Sequence, residues 1–415
     1  MRFRMLPFLA VLFAGMAASA VPSLVPPLRA AELITAGGIR FQCAPSLLAQ
    51  AAQEMDAFLA ELAIPADLLS KSSSASGTQL SYRLRTPEHD TSTLDLVDRP
   101  EYALAREAIS LPAVRGMRVV HTVSRKEILL TLLQHGRLTE MTGDSCSVAA
   151  LREMIGIRQN VVAWAEHLEW IWPNGGPARW NTKYWKEGTP VSTQPLADAF
   201  LDMFLQQKRY TIGCYTATKV VYVHALLDYH RRVNPDAQKL RLLESRLLAD
   251  GEPLVDVEPA GMWSFEEDFD PAGLSRPGKL LRLHADVAMR NFVPGDWVYL
   301  LNTDPVSRRK TGYEGSNAIY LGGGRFDDYY NDHQHAYAYE EKLDEVYQWR
   351  HGVFNRRRDA QKRQVLSAPA MARLSESPAR GGLVFGFRVV PGDVDLTLPG
   401  STRLPQQLAI GDREN

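Results

Sequence analysis

The chain has 415 residues, 45% of them hydrophobic and 23% charged, with a formal net charge of −1. This is ordinary globular composition, with length for two or three domains. A charge so near zero excludes a polycationic nucleic-acid binder or a protein held to an anionic membrane by bulk charge. The basic run Arg356-Arg357-Arg358 is local and reads as a solvated helix end.

The first residues read as an export signal. Arg2 and Arg4 precede a short apolar stretch, 5–17, and Ala18-Ser19-Ala20 fits the small-x-small cleavage rule. A buried first helix or a retained anchor is the alternative. Cleavage after Ala20 leaves a Pro-rich arm, 21–31, and no later stretch is apolar enough for a membrane span. Residues 45–63 carry Leu48, Ala51, Ala52, Met55 and Leu59 at helical spacing, stopped by Pro65. Residues 70–77 form a Ser-rich loop, and 100–140 mix helical and other patterns. A long helix is expected over 147–168, followed by the break Trp172-Pro173-Asn174-Gly175-Gly176-Pro177.

Beyond that break, a helix is expected over 196–207 and a second from Cys214 to about residue 229, ended by Asn234-Pro235. Residues 236–260 look like a charged, loop-rich insertion. The period then changes to two, with strands at 295–302 and 317–321, a turn at Gly322-Gly323-Gly324, and a returning strand from Phe326. The glycine run lacks the surroundings of a phosphate loop and reads as a hairpin turn. A polar helix over 340–349 and one more strand at 383–389 complete the pattern, an α+β arrangement.

There are three cysteines, Cys43, Cys146 and Cys214. Cys43 and Cys146 can bridge in an oxidising compartment, leaving Cys214 unpaired; the bland alternative is three inert buried thiols. Cys214 follows Gly213 at an expected helix start, where free N–H groups and the helix dipole favour a thiolate and can hold an oxyanion. A thiol nucleophile needs a base. His284, His333, His335 and His351 lie downstream, and period two puts Tyr329, Asn331, His333 and His335 on one face of the returning strand. The cysteines and histidines match no zinc spacing, and no cofactor is implied.

Several segments, in order, resemble the bacterial spore-coat type protein-glutamine γ-glutamyltransferases: Asn181-Thr182-Lys183-Tyr184-Trp185, Gly213-Cys214-Tyr215-Thr216-Ala217-Thr218, Gly295-Asp296, Gly315-Ser316-Asn317-Ala318-Ile319-Tyr320-Leu321-Gly322, and the helix that ends near Arg350. The resemblance spans residues 180–352. It implies a papain-like NlpC/P60-type core, in which a helix carrying Cys packs on an antiparallel sheet. It also implies isopeptide crosslinking between glutamine and lysine side chains of protein substrates.

Carried over by position, the nucleophile is Cys214. The base is His335, from His335-Ala336-Tyr337-Ala338-Tyr339, with His333 in reserve; this needs a hairpin longer than the family's, since the uninterrupted position is Tyr329. The family's two glutamates are replaced by Gly213 and Ser316. Glu314 is then the expected carboxylate, and Asn317 an orienting residue. Trp185, Trp180 and Tyr184 are candidates for a substrate channel, or else packing residues.

The expected organisation is a signal peptide (1–20), a flexible arm (21–31), a mostly helical N-terminal region (32–170), a transglutaminase-like catalytic domain (171–360) and a C-terminal extension (361–415). Two other readings of the same residues are a secreted cysteine peptidase or cell-wall amidase, and an inactive envelope binding module.

Overall fold

The structure, a computed structural model, describes residues 37–85, 96, 99–134, 138–173, 177–186, 188–248, 282–284, 287–330, 336–354 and 360–390. The expected signal peptide and arm lie outside the described residues, as do His333 and His335. Among the described residues no helix is long and apolar enough to cross a membrane.

The N-terminal region is mixed rather than mostly helical. Its elements are β1 (Gly38–Gln42), α1 (Pro45–Glu61), β2 (Leu69–Ser73), β3 (Gln79–Leu84), β4 (Glu107–Pro112), β5 (Met117–Thr122), α2 (Arg125–Leu133), β6 (Leu138–Thr142) and α3 (Val148–Ala165). Four of the strands form a sheet in the order β2-β3-β1-β6, with β1 and β6 parallel, and β4 pairs with β5 as a hairpin. β3 alternates buried Leu80, Tyr82 and Leu84 with half-buried Ser81 and Arg83, a period of two. β2 falls largely within the run read as a Ser-rich loop. It buries only Leu69 and is held by backbone pairing to β3 (Leu69 opposite Leu84), as a polar edge strand can be. Cys43, just past β1, is joined to Cys146, just before α3, across a Cα–Cα distance of 6.2 Å. Ser147 caps α3 by accepting the Ala150 N–H.

The second half holds β7 (Trp185–Lys186), β8 (Thr189–Pro190), α4 (Leu196–Leu205), α5 (Cys214–Asp228) and a π-helical turn (Tyr229–Val233). α6 (Ala237–Leu248) follows, where a loop-rich insertion was expected. Leu240, Leu243 and Leu247 give α6 one apolar face, and the Asp236 carboxylate accepts the N–H groups of Gln238 and Lys239 at its start. The remaining elements are β9 (Arg282–His284), β10 (Trp297–Leu301), β11 (Gly315–Gly322), β12 (Arg325–Asp327), β13 (Ala336–Ala338), α7 (Tyr339–Gln348), α8 (Ala368–Leu374) and β14 (Val384–Val390). The strands β9 to β14 form one antiparallel sheet in the order β13-β12-β11-β10-β14-β9. The expected C-terminal extension thus supplies a strand to this sheet.

Strand alternation gives this sheet two faces. Ile319 and Leu321 join the core formed with α3 and α5, while Ala318 and Tyr320 join Val298, Leu300, Phe326, Leu343 and Val346 beneath α7. The first core runs from Ile39 to Tyr329, so it crosses the boundary expected near residue 170 without a break. A buried ion triad spans the same boundary: Asp296, at the head of β10, takes Arg158 of α3 at 3.0 Å and Arg388 of β14 at 3.0 Å. The Gly-Asp motif is therefore a structural staple. Gly322, Gly323 and Gly324 all have positive φ, as a hairpin turn requires. A Cβ at Gly322 would lie 2.5 Å from a Glu127 carboxylate oxygen, the same oxygen that accepts the Gly323 N–H at 2.8 Å.

Candidate active site

Gly213 is in extended conformation (φ −80°, ψ 162°) and caps α5, so Cys214 is the first helical residue. Its neighbours in the first turn have no intrahelical partner for their N–H groups. The helix behind it is buried on all sides, residues 216–228 without interruption, which seats it rigidly between α3, α4 and the sheet. Cys214 is a free, partly exposed thiol. Asn317 of β11 donates from Nδ2 to its Sγ at 3.3 Å. The orientation of that amide follows from its other contact: the Trp297 indole N–H, which can only donate, lies 2.9 Å from Asn317 Oδ1, so the NH2 group must face sulfur. Burial pushes the thiol above its ordinary value; the Asn317 amide and the positive charge of Lys342 pull it down, and Glu314 opposes ionisation.

One turn into α5, Thr218 donates its hydroxyl to the Cys214 carbonyl at 3.0 Å. With that proton committed, the Tyr329 phenol 2.7 Å away donates to Thr218 Oγ1. Burial keeps that phenol neutral. The segments on either side of the cysteine are stitched together. Trp170 N–H donates to Tyr329 O at 2.8 Å, Ile212 N–H to Ile171 O at 3.2 Å, and Tyr330 Oη to Ile212 O at 2.9 Å. Trp172 packs edge-on against Tyr330 and covers Gly312, where a Cβ would lie 2.3 Å from its ring.

Among the residues expected at the site, the structure brings Cys214 and Asn317 together. Glu314 is exposed just ahead of β11, and its carbonyl accepts the Asn302 N–H at 3.0 Å. Ser316 shares its face with Ala318 and Tyr320, opposite Asn317. Trp185 is 1% exposed, donates its indole N–H to Ala199 O at 3.2 Å and stacks edge-on against Phe200, so it is core rather than channel wall. Tyr184 is half-buried, with the Lys183 amine 3.1 Å from its hydroxyl. Asn181 of the same motif donates to Asp202 of α4 at 2.6 Å, a packing tie. His351 lies in a 3-10 turn after α7 and His284 in β9; among the described residues no imidazole hydrogen-bonds Cys214. Trp297, Thr218, Tyr329 and Lys342 were not expected. Tyr329, the position the base would take without a longer hairpin, instead braces the cysteine's own turn.

Residues 122–334, just over half of the chain, match the family of protein-glutamine γ-glutamyltransferases. Among curated proteins, none matches the chain. Among solved structures, a transglutaminase from Geobacillus stearothermophilus without its C-terminal extension aligns over 62% of this chain and 96% of its own, at 16% identity and a TM-score of 0.35. The matched span begins before α2 and takes in α3, Cys214, Asn317 and Tyr329, the elements that build the site. The chain belongs to the protein-glutamine γ-glutamyltransferase (transglutaminase) family, whose members form isopeptide crosslinks.

Proposed function

We propose that this chain crosslinks proteins by ping-pong acyl transfer with Cys214 as its nucleophile. The observation that carries this reading is the free thiol at the start of a buried helix, with the Asn317 amide on its sulfur. The thiolate attacks the γ-carboxamide carbon of a glutamine, and the helix-start N–H groups hold the oxyanion. The C–N bond breaks, ammonia leaves with a proton from the base, and a thioester is left. A lysine amine then attacks the thioester and loses a proton, which forms the isopeptide bond and returns the thiolate. We assign the base to His335, with His333 in reserve, and a supporting carboxylate to Glu314. Water competes with the amine at the thioester, so its exclusion decides between transfer and deamidation.

The core, a Cys-bearing helix on an antiparallel sheet, supports a papain-like NlpC/P60-type reading. The Cys43–Cys146 bridge supports an exported location, because such bonds persist in oxidising compartments. We expect signal cleavage after Ala20, which the mature N-terminal mass checks.

The test is incubation with a glutamine-bearing protein and a labelled primary amine. Wild type incorporates label, C214A does not, and H335Q loses more than H333Q. Ammonia release without incorporation by folded wild type makes the chain a cysteine hydrolase instead, and neither product makes it a binding module.

A further inference from the structure

Asn317 is 5% exposed and shares with Ile319 and Leu321 the face of β11 that packs on α5. Its carboxamide is held at the oxygen, where the Trp297 indole N–H donates to Oδ1 at 2.9 Å. Trp297 is itself fixed, 5% exposed, with ring centroids 5.0 Å from Phe387 and 5.8 Å from Tyr215. The NH2 group therefore points one way and gives one of its two N–H bonds to Cys214 Sγ at 3.3 Å. Among the described residues the second N–H meets no acceptor. A buried donor left without an acceptor costs about 1–3 kcal/mol. A donor held this firmly beside a nucleophile is suited to charge that develops only during the reaction.

When the thiolate attacks a carbonyl, the C–S bond forms and the carbonyl π pair moves onto oxygen. Negative charge leaves sulfur and appears on an oxygen bonded to the attacked carbon, one atom from sulfur. The Asn317 amide already touches that sulfur, so its second N–H reaches this oxygen while Oδ1 stays on the indole. Collapse returns the pair to carbon as the leaving group departs with its own electrons. We propose that Asn317 is a catalytic residue whose second N–H binds the oxyanion together with the helix-start N–H groups, and that Trp297 is its positioning residue. The proposal rests on Cys214 being the nucleophile. An amide neither gives up nor takes a proton near neutral pH, so Asn317 does not replace the base.

The experiment compares two probes of the one free thiol, with C214A as background. Iodoacetamide alkylates sulfur by displacement and forms no oxyanion, whereas p-nitrophenyl acetate acylates it through one. At one pH both draw on the same thiolate fraction, so the ratio of acylation to alkylation is free of ionisation. In folded N317A the ratio falls about 100-fold, while alkylation by the ionised thiol stays within about threefold of wild type. In W297F, where Oδ1 loses its anchor, the ratio falls about tenfold. If N317A does not fold, N317D, of the same shape with oxygen in place of the NH2 group, gives the same fall. A ratio unchanged in the folded variant, whatever happens to the two rates, makes the amide a partner of sulfur or of the fold alone and overturns the proposal; so does a wild type that alkylates without acylating. The expected fall in a chain that joins no amine to glutamine upholds the oxyanion role while refuting the crosslinking activity.

Discussion

Replacement of Asp296 by alanine is expected to be the most damaging single change to stability. Asp296 is 0% exposed and Arg158 1% exposed, while Arg388 is 15% exposed. The carboxylate receives Arg158 at 3.0 Å, Arg388 at 3.0 and 3.2 Å, and the Val293 N–H at 2.9 Å. Its loss leaves two guanidinium groups facing each other. Arg158 keeps the Pro294 carbonyl at 3.1 Å but cannot reach water. Breaking a buried pair in this way costs about 3–5 kcal/mol, a large share of a typical domain's 5–15 kcal/mol or so. Urea unfolding followed by tryptophan fluorescence should show the midpoint fall at unchanged slope. The triple variant R158M/D296L/R388M should recover most of the loss, because an apolar replacement carries no stranded charge. The effect also reaches the site: Asp296 anchors the head of β10, whose next residue, Trp297, orients Asn317 against Cys214. A loss below about 1 kcal/mol in D296A, with both arginines in place, would falsify the view that the triad ties α3 to the sheet.

Y329F removes the hydroxyl that reaches Thr218 at 2.7 Å, so stability should fall by about 1 kcal/mol while Cys214 still alkylates; abolished alkylation would show that the phenol does more than brace the turn. Reduction or C43S/C146S opens a link between residues 103 apart and should lower stability by about 2–5 kcal/mol, read as a fall in melting temperature. Burial raises Asp327 to about 8 and Glu127 to about 7, above their ordinary 3.8 and 4.5. The folded chain therefore keeps protons that the unfolded chain releases, and stability falls as pH rises toward 8. The buried His224, lowered to about 4, acts in the opposite sense only below about pH 6.5, so the carboxyls are isolated above that. Between pH 6.5 and 8 the urea midpoint should correspond to a loss of about 2 kcal/mol, flattened in D327N/E127Q; an equal slope in that variant removes the assignment.

The legible parts of the fold were those with local signals. Helix periodicity announced α3, the apolar run after Gly213 announced α5, and alternation around three glycines announced the β11–β12 hairpin. β2 was not legible, because an edge strand with one buried residue draws its order from its neighbour. α6 was hidden by its charge, its leucines spaced among Lys and Arg. At the site, Cys214 was legible from its position and from being the odd thiol. Asn317 was expected as an orienting residue, but not as the one that touches sulfur.

The sequence by itself marked Cys214 as the odd thiol, set it at a helix start and announced an antiparallel sheet after it, since these depend on residue type and on neighbours within a few positions. Only the tertiary structure decided what surrounds the sulfur. Asn317, Trp297 and Tyr329 come from separate elements about 80 to 115 residues downstream of Cys214, and their approach is set by the packing of α5 against the sheet, which no periodicity encodes. The same holds for Arg158, Asp296 and Arg388, three charges whose burial is tolerable only because the fold brings them together.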